Sequence, residues 1–268
     1  MSIYFSDQSW PQLKKAVEAN TLILLPIGQV EEHGRHLPVS TDATIATAVV
    51  KALAEVLVAE GVPTLVMPTL WTGYSSKELT RWPGTIRVRP QILIDIIYDI
   101  CTSLVEMGFR KIILLSCHGH HTGLLRVVVR RIADDHGVYM ALVSPAALSA
   151  ERYNKVRKSE RGGSVHGGEW ETSLMLYLGE PVDMSQATKE DIMRYWSDFV
   201  AGDNFTGPQK VFWSTWGLQK STTGIYGDPT VATAETGKAI METIVKEGVA
   251  FAKEYWSAPE GDGNATGH

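Results

Sequence analysis

Carboxylate and imidazole side chains are concentrated between residues 28 and 42. Glu31 and His33 are two positions apart, so in an extended chain their side chains point to the same side. Asp42 follows a short loop and stands at or near the start of a predicted helix. Such groups together are typical ligands of Zn²⁺, Mn²⁺ or Fe²⁺. The segment therefore indicates a metal site, with a polar loop whose Asp42 only caps a helix as the alternative.

Three further histidines follow the apolar run 111–115. His118, His120 and His121 occupy three of four consecutive positions shortly after it. Histidine is the commonest metal ligand in proteins, and Gly119 lets the backbone approach a site closely. The cluster therefore favours metal binding over the alternative, a helix N-terminus that carries histidines incidentally.

A third cluster contains His166, Glu169 and Glu171 at a glycine-containing turn that leads into a predicted helix. Acidic residues near a helix N-terminus are ordinary, because the helix dipole stabilises them. The cluster indicates function mainly because it is the third of its kind in one chain. Elsewhere, Tyr74 and Trp82 lie near a Pro-Gly turn and are suited to line a pocket wall.

Short apolar runs alternate with helical patterns along the chain. The runs 21–27 and 111–115 are typical of strands buried on both faces, and 63–67 and 138–143 are weaker examples. Helical patterns cover 42–60, 91–107, 121–135 and 233–256. This alternation predicts an α/β fold with a mostly parallel β-sheet flanked by helices. Since sites in such sheets form beyond the carboxyl ends of the strands, we expect the first two clusters to meet there.

We interpret residues 1–258 as a single α/β domain. The segment 185–217 is less regular and carries Trp196, Trp213 and Trp216. We interpret it as an insertion that serves as a lid or a subunit contact. The Gly-rich tail 259–268 is predicted to be flexible.

Composition excludes several classes of protein. The chain has 268 residues, 44% of them hydrophobic, and a formal net charge of -5. These values are globular rather than disordered, and the mild acidity argues against nucleic acid as a partner. No apolar run approaches the roughly 20 residues of a membrane span. Two cysteines and an N-terminus without an apolar signal region lead us to expect a cytoplasmic protein with a small-molecule substrate.

The motifs, taken in order, resemble those of the creatininase (creatinine amidohydrolase) family. The family pattern E-x-H-G-x-H-L-P-x-x-T-D corresponds to residues 31–42, N-G-H-G-G-N to 116–121, and H-[AG]-G-x-x-E-T-S to 166–173. An F/W-P-G-T segment corresponds to 82–85 and a G-D-P-x-x-A-T-A-E ending to 227–235. The resemblance implies an α/β fold, two divalent metal ions (Zn²⁺, Mn²⁺ or Fe²⁺) and hydrolysis of C–N bonds in amides.

The resemblance also implies ligands for the two metals. Glu31, Asp42 and His118 would bind one ion, and His33 and Asp42 the other, so that Asp42 bridges them. The fifth ligand stays open between two residues, His120 and Glu169.

The same resemblance implies a catalytic role for one histidine, and the positions of five other residues lead us to expect contacts with the substrate. His166 matches a family histidine that shuttles a proton, and we expect it to be catalytic together with Glu171. The residues expected near the substrate are Arg35, His36, Tyr74, Trp82 and Trp170. Motif 116–121 reads S-C-H-G-H-H and lacks the family's asparagines, so we expect the substrate contacts to differ from those of relatives.

The resulting hypothesis is a metal-dependent amidohydrolase that cleaves a small amide, cyclic or linear, with water activated by two metal ions. Two alternatives remain open. One is a deformylase or lactonase that acts on a linear formamide or an ester, and the other is a non-catalytic relative that keeps the metals. The family resemblance further implies a homo-oligomer, with a hexamer favoured.

Overall fold

A parallel sheet of four strands forms the centre of the computed structural model, which describes residues 2–259. The strands are β1 (Leu22–Ile27), β2 (Thr64–Val66), β3 (Lys111–Ser116) and β4 (Ala141–Val143). They lie side by side in the order β2-β1-β3-β4, and all neighbours are parallel. The predicted α/β fold and the four predicted strands are confirmed.

Helices cover both faces of this sheet. The α-helices of the described residues are α1 (Trp10–Glu18), α2 (Thr41–Ala59), α3 (Pro90–Met107), α4 (Thr122–His136), α5 (Pro145–Val156), α6 (Glu169–Leu178) and α7 (Ala234–Ser257). The four helical patterns read from the sequence correspond to α2, α3, α4 and α7. Helices α1 and α5 were not predicted.

The sequence of strand β1 is almost wholly apolar because both of its faces are buried. Leu22 and Leu24 pack into the cluster formed with α2, α6 and α7, whereas Ile23 and Leu25 pack into the cluster formed with α3 and α4. Alternate side chains of a strand point to opposite faces, and here both faces are covered. Each fully buried Leu or Ile contributes about 1.5–3 kcal/mol relative to an exposed one.

A second, two-stranded sheet carries one of the predicted site residues. Strands β5 (Ser164–His166) and β6 (Tyr226–Gly227) pair in antiparallel fashion with an irregular register, and His166 ends β5. This pairing was not predicted, because two strands of three and two residues are too short to produce an alternating pattern.

The segment after α6 contains no helix or strand between residues 187 and 217, in line with its irregular sequence. It is fastened by Asp203, whose carboxylate accepts hydrogen bonds from the Arg157 guanidinium at 3.1 and 2.9 Å. The predicted flexible tail lies outside the described residues, except for its first residue, Pro259. Within residues 2–259, no helix has the length and apolar character needed to cross a lipid bilayer.

Candidate metal centre

Four buried side chains come together at the carboxyl edge of the central sheet. Glu31 and His33 stand in the loop after β1, Asp42 is the second residue of α2, and His118 follows β3. Each side chain is at most 6% exposed. Because β1 and β3 are adjacent and parallel, their following loops open at the same edge, and this brings together residues far apart in sequence.

The potential ligand atoms approach one another closely. His118 Nδ1 lies 2.9 Å from Asp42 Oδ2 and 3.3 Å from Glu31 Oε1. On the other side of Asp42, His33 Nε2 lies 3.3 Å from Oδ1 of that carboxylate and 3.9 Å from Glu171 Oε1. The two carboxylate oxygens of Asp42 thus face two different imidazoles.

His166 adds a third imidazole to the cluster. Its Nε2 lies 2.8 Å from the backbone carbonyl oxygen of Glu32, and since a carbonyl only accepts, Nε2 donates this hydrogen bond. The other ring nitrogen, Nδ1, is 3.5 Å from Glu31 Oε1 and faces the cluster. The ring of His166 also lies 4.3 Å from that of His33, centre to centre.

Three overlapping groups of three side chains have ligand atoms within 4.8 Å of one another. The groups are Glu31 with Asp42 and His118, His33 with Asp42 and Glu171, and Glu31 with His33 and His166. The first two share Asp42 and so describe two neighbouring cation positions on either side of one carboxylate.

Unsatisfied buried atoms show that this cluster suits cations. Glu31 Oε1 and His33 Nε2 have no hydrogen-bond partner among the described residues, although both are fully buried. Leaving buried polar atoms unpaired is costly, and buried charges are normally paired or bound to metals. The mixed carboxylate and imidazole set fits Zn²⁺ or Mn²⁺.

The close approach of carboxylates and imidazoles in the cluster shifts the pKa values of its residues. Burial lowers the pKa of His33, but the carboxylates of Asp42, Glu171 and Glu31 outweigh burial and raise it well above its usual value. Burial likewise lowers the pKa of His118, yet Glu31 and Asp42 raise it to about 8 overall. For Asp42, burial raises the pKa, but His33 and His118 hold it well below its usual range. The carboxylate of Asp42 is therefore ionised across the neutral range.

The two candidates for a fifth ligand both lie apart from the three donor groups. The carboxylate of Glu169 accepts hydrogen bonds from the backbone N–H groups of Lys158 and Ser159, at 2.7–3.0 Å, and from the Tyr153 hydroxyl at 3.2 Å. It therefore fastens the start of α6 to the loop after α5.

His120 faces the cavity beside the cluster. Burial and the neighbouring His118 lower its pKa to about 3, so its imidazole is neutral at pH 7.

Glu171, rather than Glu169 or His120, completes the donor group of His33 and Asp42 as the fifth candidate ligand. We expected Glu171 to be catalytic, and the structure sets it beside His33. Its Oε2 accepts a hydrogen bond from the backbone N–H of Gly167 at 2.6 Å, which orients the carboxylate. Burial raises the pKa of Glu171.

The expected substrate-binding residues are scattered. Arg35 is exposed, and buried His36 bonds through Nε2 to Thr172 Oγ1 at 2.9 Å, with burial lowering its pKa to about 4. Trp170 is buried and donates through Nε1 to Ser149 Oγ at 3.1 Å, and it also contributes to the lining of the cavity over the cluster.

Two aromatic residues of that set lie in the 71–88 region. Tyr74 lies near the site, with its ring 6.2 Å from that of His120. Trp82 packs under the guanidinium of Arg81 and does not line the cavity.

A cavity of about 690 Å³ opens over the cluster. His118, His120, His166 and Glu171 line it, and Trp216 covers part of it. The Trp216 ring lies 4.6 Å from the ring of His120 and 5.6 Å from that of His166, which limits the access of water to both.

Two residues near the cluster were not singled out by the sequence. Trp216 was predicted only as one of three tryptophans of a lid or subunit contact, because the irregular local sequence does not indicate which part of the segment folds back. Ser75 Oγ donates a hydrogen bond to Glu31 Oε2 at 2.5 Å and so orients a donor carboxylate. Ser75 directly follows Tyr74, a residue predicted to line a pocket, and this was the only indication in the sequence that Ser75 lies near the site.

Fold and donor groups together describe an α/β protein with a candidate metal centre, and sequence comparison identifies its family. Residues 6–252 match the creatininase family, described as creatinine amidohydrolase. The chain therefore belongs to the creatininase family of hydrolases, which confirms the resemblance seen in the motifs.

Named relatives differ in what they act on. A mycofactocin precursor peptide peptidase of Mycobacterium tuberculosis is 29% identical over 249 residues, covering 89% of this chain and 87% of that protein. A creatinine amidohydrolase of Pseudomonas putida is 30% identical over 195 residues, covering 66% of this chain and 72% of that protein. A 3-dehydro-scyllo-inosose hydrolase of Thermotoga maritima is 28% identical, covering 66% of this chain and 56% of that protein.

Solved structures show the same fold. A crystal structure of creatinine amidohydrolase matches with a TM-score of 0.77 at 22% identity, covering 96% of this chain and 99% of that one. A manganese form of creatininase matches with a TM-score of 0.76 at 23% identity, covering 96% of this chain and 100% of that one.

Proposed function

We propose that this protein is a metal-dependent amidohydrolase that cleaves a C–N bond of a small amide with water activated at a dinuclear site. The observation that carries the proposal is the pair of donor groups that share Asp42. The two carboxylate oxygens of Asp42 face two different imidazoles, which is the arrangement that a ligand bridging two metal ions needs. Glu31 and His118 complete one position, and His33 and Glu171 the other.

Two cations held there would supply Lewis-acid polarisation of an amide carbonyl and would lower the pKa of a hydrolytic water. The chain supplies the rest. His166 presents Nδ1 to the cluster while its Nε2–H donates to the Glu32 carbonyl. Burial and His33 lower the pKa of His166, but Glu32 and Glu31 raise it above its usual value, which favours the imidazolium form. In that form Nδ1–H is the group that gives a proton to the departing nitrogen. The carboxylate of Glu171, oriented by Gly167, can take a proton from the water. The ring of Trp216 keeps bulk water from His120 and His166.

The test is a substrate screen of the Mn²⁺-loaded and Zn²⁺-loaded protein over cyclic amides, linear formamides, lactones and short blocked peptides. We expect amide turnover that chelation abolishes and metal restores. The matched control is Asp42→Asn, which keeps the side chain's shape but removes the charge. Turnover of esters alone would make the protein a lactonase, and bound metal without turnover of any class would make it a non-catalytic relative.

Peptide hydrolysis is a second candidate within the same chemistry. It is favoured by similarity to the mycobacterial peptidase over most of both chains. The cavity is also wide, and its rim carries the exposed side chains of Phe212 and Trp213. Cleavage of blocked peptides in preference to cyclic amides would support this candidate.

A further inference from the structure

A small side cavity of about 350 Å³ adjoins the main one where β3 and β4 end. Its polar lining consists of Ser116, Thr122, Arg126 and Ser144, and these four residues also line the main cavity. The two cavities therefore border on the same four side chains, which places the side cavity next to the space over the metal centre.

Arg126 supplies an uncommitted positive charge to this space. Within residues 2–259, its guanidinium has no hydrogen bond and no ion pair, and the residue is exposed to solvent at the edge of the side cavity. The lining of the side cavity includes no acidic residue among those described. An arginine in a cavity wall without an acidic neighbour is free to bind an anion from solution.

The hydroxyl groups around Arg126 are suited to the same ligand. The Ser144 hydroxyl oxygen accepts from the backbone N–H of Ala147 at 3.4 Å, so its own hydrogen remains available to donate. The Thr122 hydroxyl has no hydrogen-bond partner among the described residues. These two residues begin α5 and α4, where the helix dipole also favours an anion.

We propose that the substrate carries a carboxylate, which Arg126 binds in the side cavity while the amide lies over the metal centre. This inference rests on the proposed amidohydrolase function and narrows its substrate class. A single guanidinium with neutral hydroxyls matches one negative charge and the bidentate geometry of a carboxylate. A phosphate, with nearly two negative charges, would need a further cation that the side cavity lacks.

Aromatic residues in the lining of the main cavity define the rest of the substrate. Phe212, Trp213 and Trp216 belong to this aromatic wall. Together with Arg126, this wall fits an amide with an apolar body and an acidic end, such as an N-acylated aromatic amino acid or the last residues of a peptide. Ser116 in this lining stands where the family pattern has asparagine.

The test uses a ligand that cannot be hydrolysed, so that it does not depend on turnover. 3-Phenylpropanoate and 3-phenylpropan-1-ol share one apolar body and differ in the carboxylate. Binding of each to the Mn²⁺-loaded protein is measured by titration calorimetry for the wild type, Arg126→Gln and Arg130→Gln. Arg130 lies on the same helix but does not line either cavity.

We expect the acid to bind the wild type more tightly than the alcohol, and Arg126→Gln to weaken the acid by about tenfold or more, the usual worth of a charge-assisted hydrogen bond. Arg130→Gln should leave the affinity unchanged. Equal affinity of the acid for wild type and Arg126→Gln would overturn the proposal, because the metals would then hold the carboxylate. Failure of the acid to bind up to millimolar concentration, or stronger binding of inorganic phosphate through Arg126, would overturn it as well. None of these outcomes depends on whether amides are hydrolysed.

Discussion

Asp42 is the single side chain on which both proposed metal positions depend. Its oxygens lie 2.9 Å from His118 and 3.3 Å from His33. We therefore expect Asp42→Asn to lose both ions, whereas Glu31→Gln should weaken mainly the position it shares with His118. The measurement is metal content per chain by elemental analysis after dialysis. Full metal content in the Asp42 variant would show that this residue does not bridge.

Glu171 and Glu169 give a sharper test of the ligand set. Glu171→Gln should reduce the metal content, because its carboxylate belongs to the His33 group. Glu169→Gln should keep the metals and instead lower the free energy of unfolding by about 1–3 kcal/mol, since a buried acceptor of backbone N–H groups loses its charge. Elemental analysis and urea denaturation of both variants measure these effects. Metal loss in the Glu169 variant at unchanged stability would contradict the assignment.

The raised pKa of His118 predicts how metal binding depends on pH. In the metal-free protein, Glu31 and Asp42 raise this pKa to about 8, so the imidazole carries a proton at neutral pH. A ligand must lose that proton to bind a metal. Metal affinity should therefore increase as pH rises through 8, and His33, whose pKa is also raised well above its usual value, must lose its proton as well and extends the increase. Competition titrations with a chelator on both sides of pH 8 measure this, and a pH-independent affinity would be inconsistent with it.

At the scale of elements, the close contact between α6 and α7 holds the site's third cluster in place. A Cβ on Gly237 would overlap the backbone carbonyl of Ser173, so a side chain at this position would force the two helices apart. Gly237→Ala should destabilise the fold by about 1–3 kcal/mol or more. Gly123→Ala is the control, because no atom lies within 4 Å of its Cβ position on α4. It should leave stability equal or slightly higher, as measured by thermal unfolding, and equal losses in both variants would refute the packing argument.

The sequence predicts the central sheet well, because burial on both faces leaves an unbroken apolar run in β1 and β3. Helix α5 was missed because its residues mix Ala and Ser with charges and bury little. The choice between Glu169 and Glu171 also required the structure. Two positions apart on a helix, their side chains point roughly 200° apart, and only the orientation of α6 decides which one faces the metals.

For the whole molecule, we keep the prediction of a homo-oligomer with the insertion 185–217 as its contact. Phe199 is 58% exposed and Trp196 is 43% exposed, and neither lines the cavity over the metal centre. Large exposed apolar side chains in one segment are typical of an interface. Light scattering should give a multiple of the 29.5 kDa chain, with six copies expected from the family resemblance.

Variants locate that contact. Phe199→Ser should dissociate the oligomer, whereas Trp10→Ser, which changes an exposed tryptophan of α1, should not. A wild-type monomer at micromolar concentration would refute the oligomer. Dissociation by the Trp10 variant alone would place the contact outside the insertion.

The metal-binding residues and the aromatic wall of the cavity come from different parts of the fold, and this has a consequence for how substrate preference can change. The donor side chains stand at the ends of buried strands and the starts of helices, whereas Phe212, Trp213 and Trp216 come from a segment without helix or strand. Sequence drift in that segment alters the wall around the substrate without disturbing the atoms that hold the metals. A mutant library confined to residues 209–216 should therefore yield variants that differ in preference while most of them still fold.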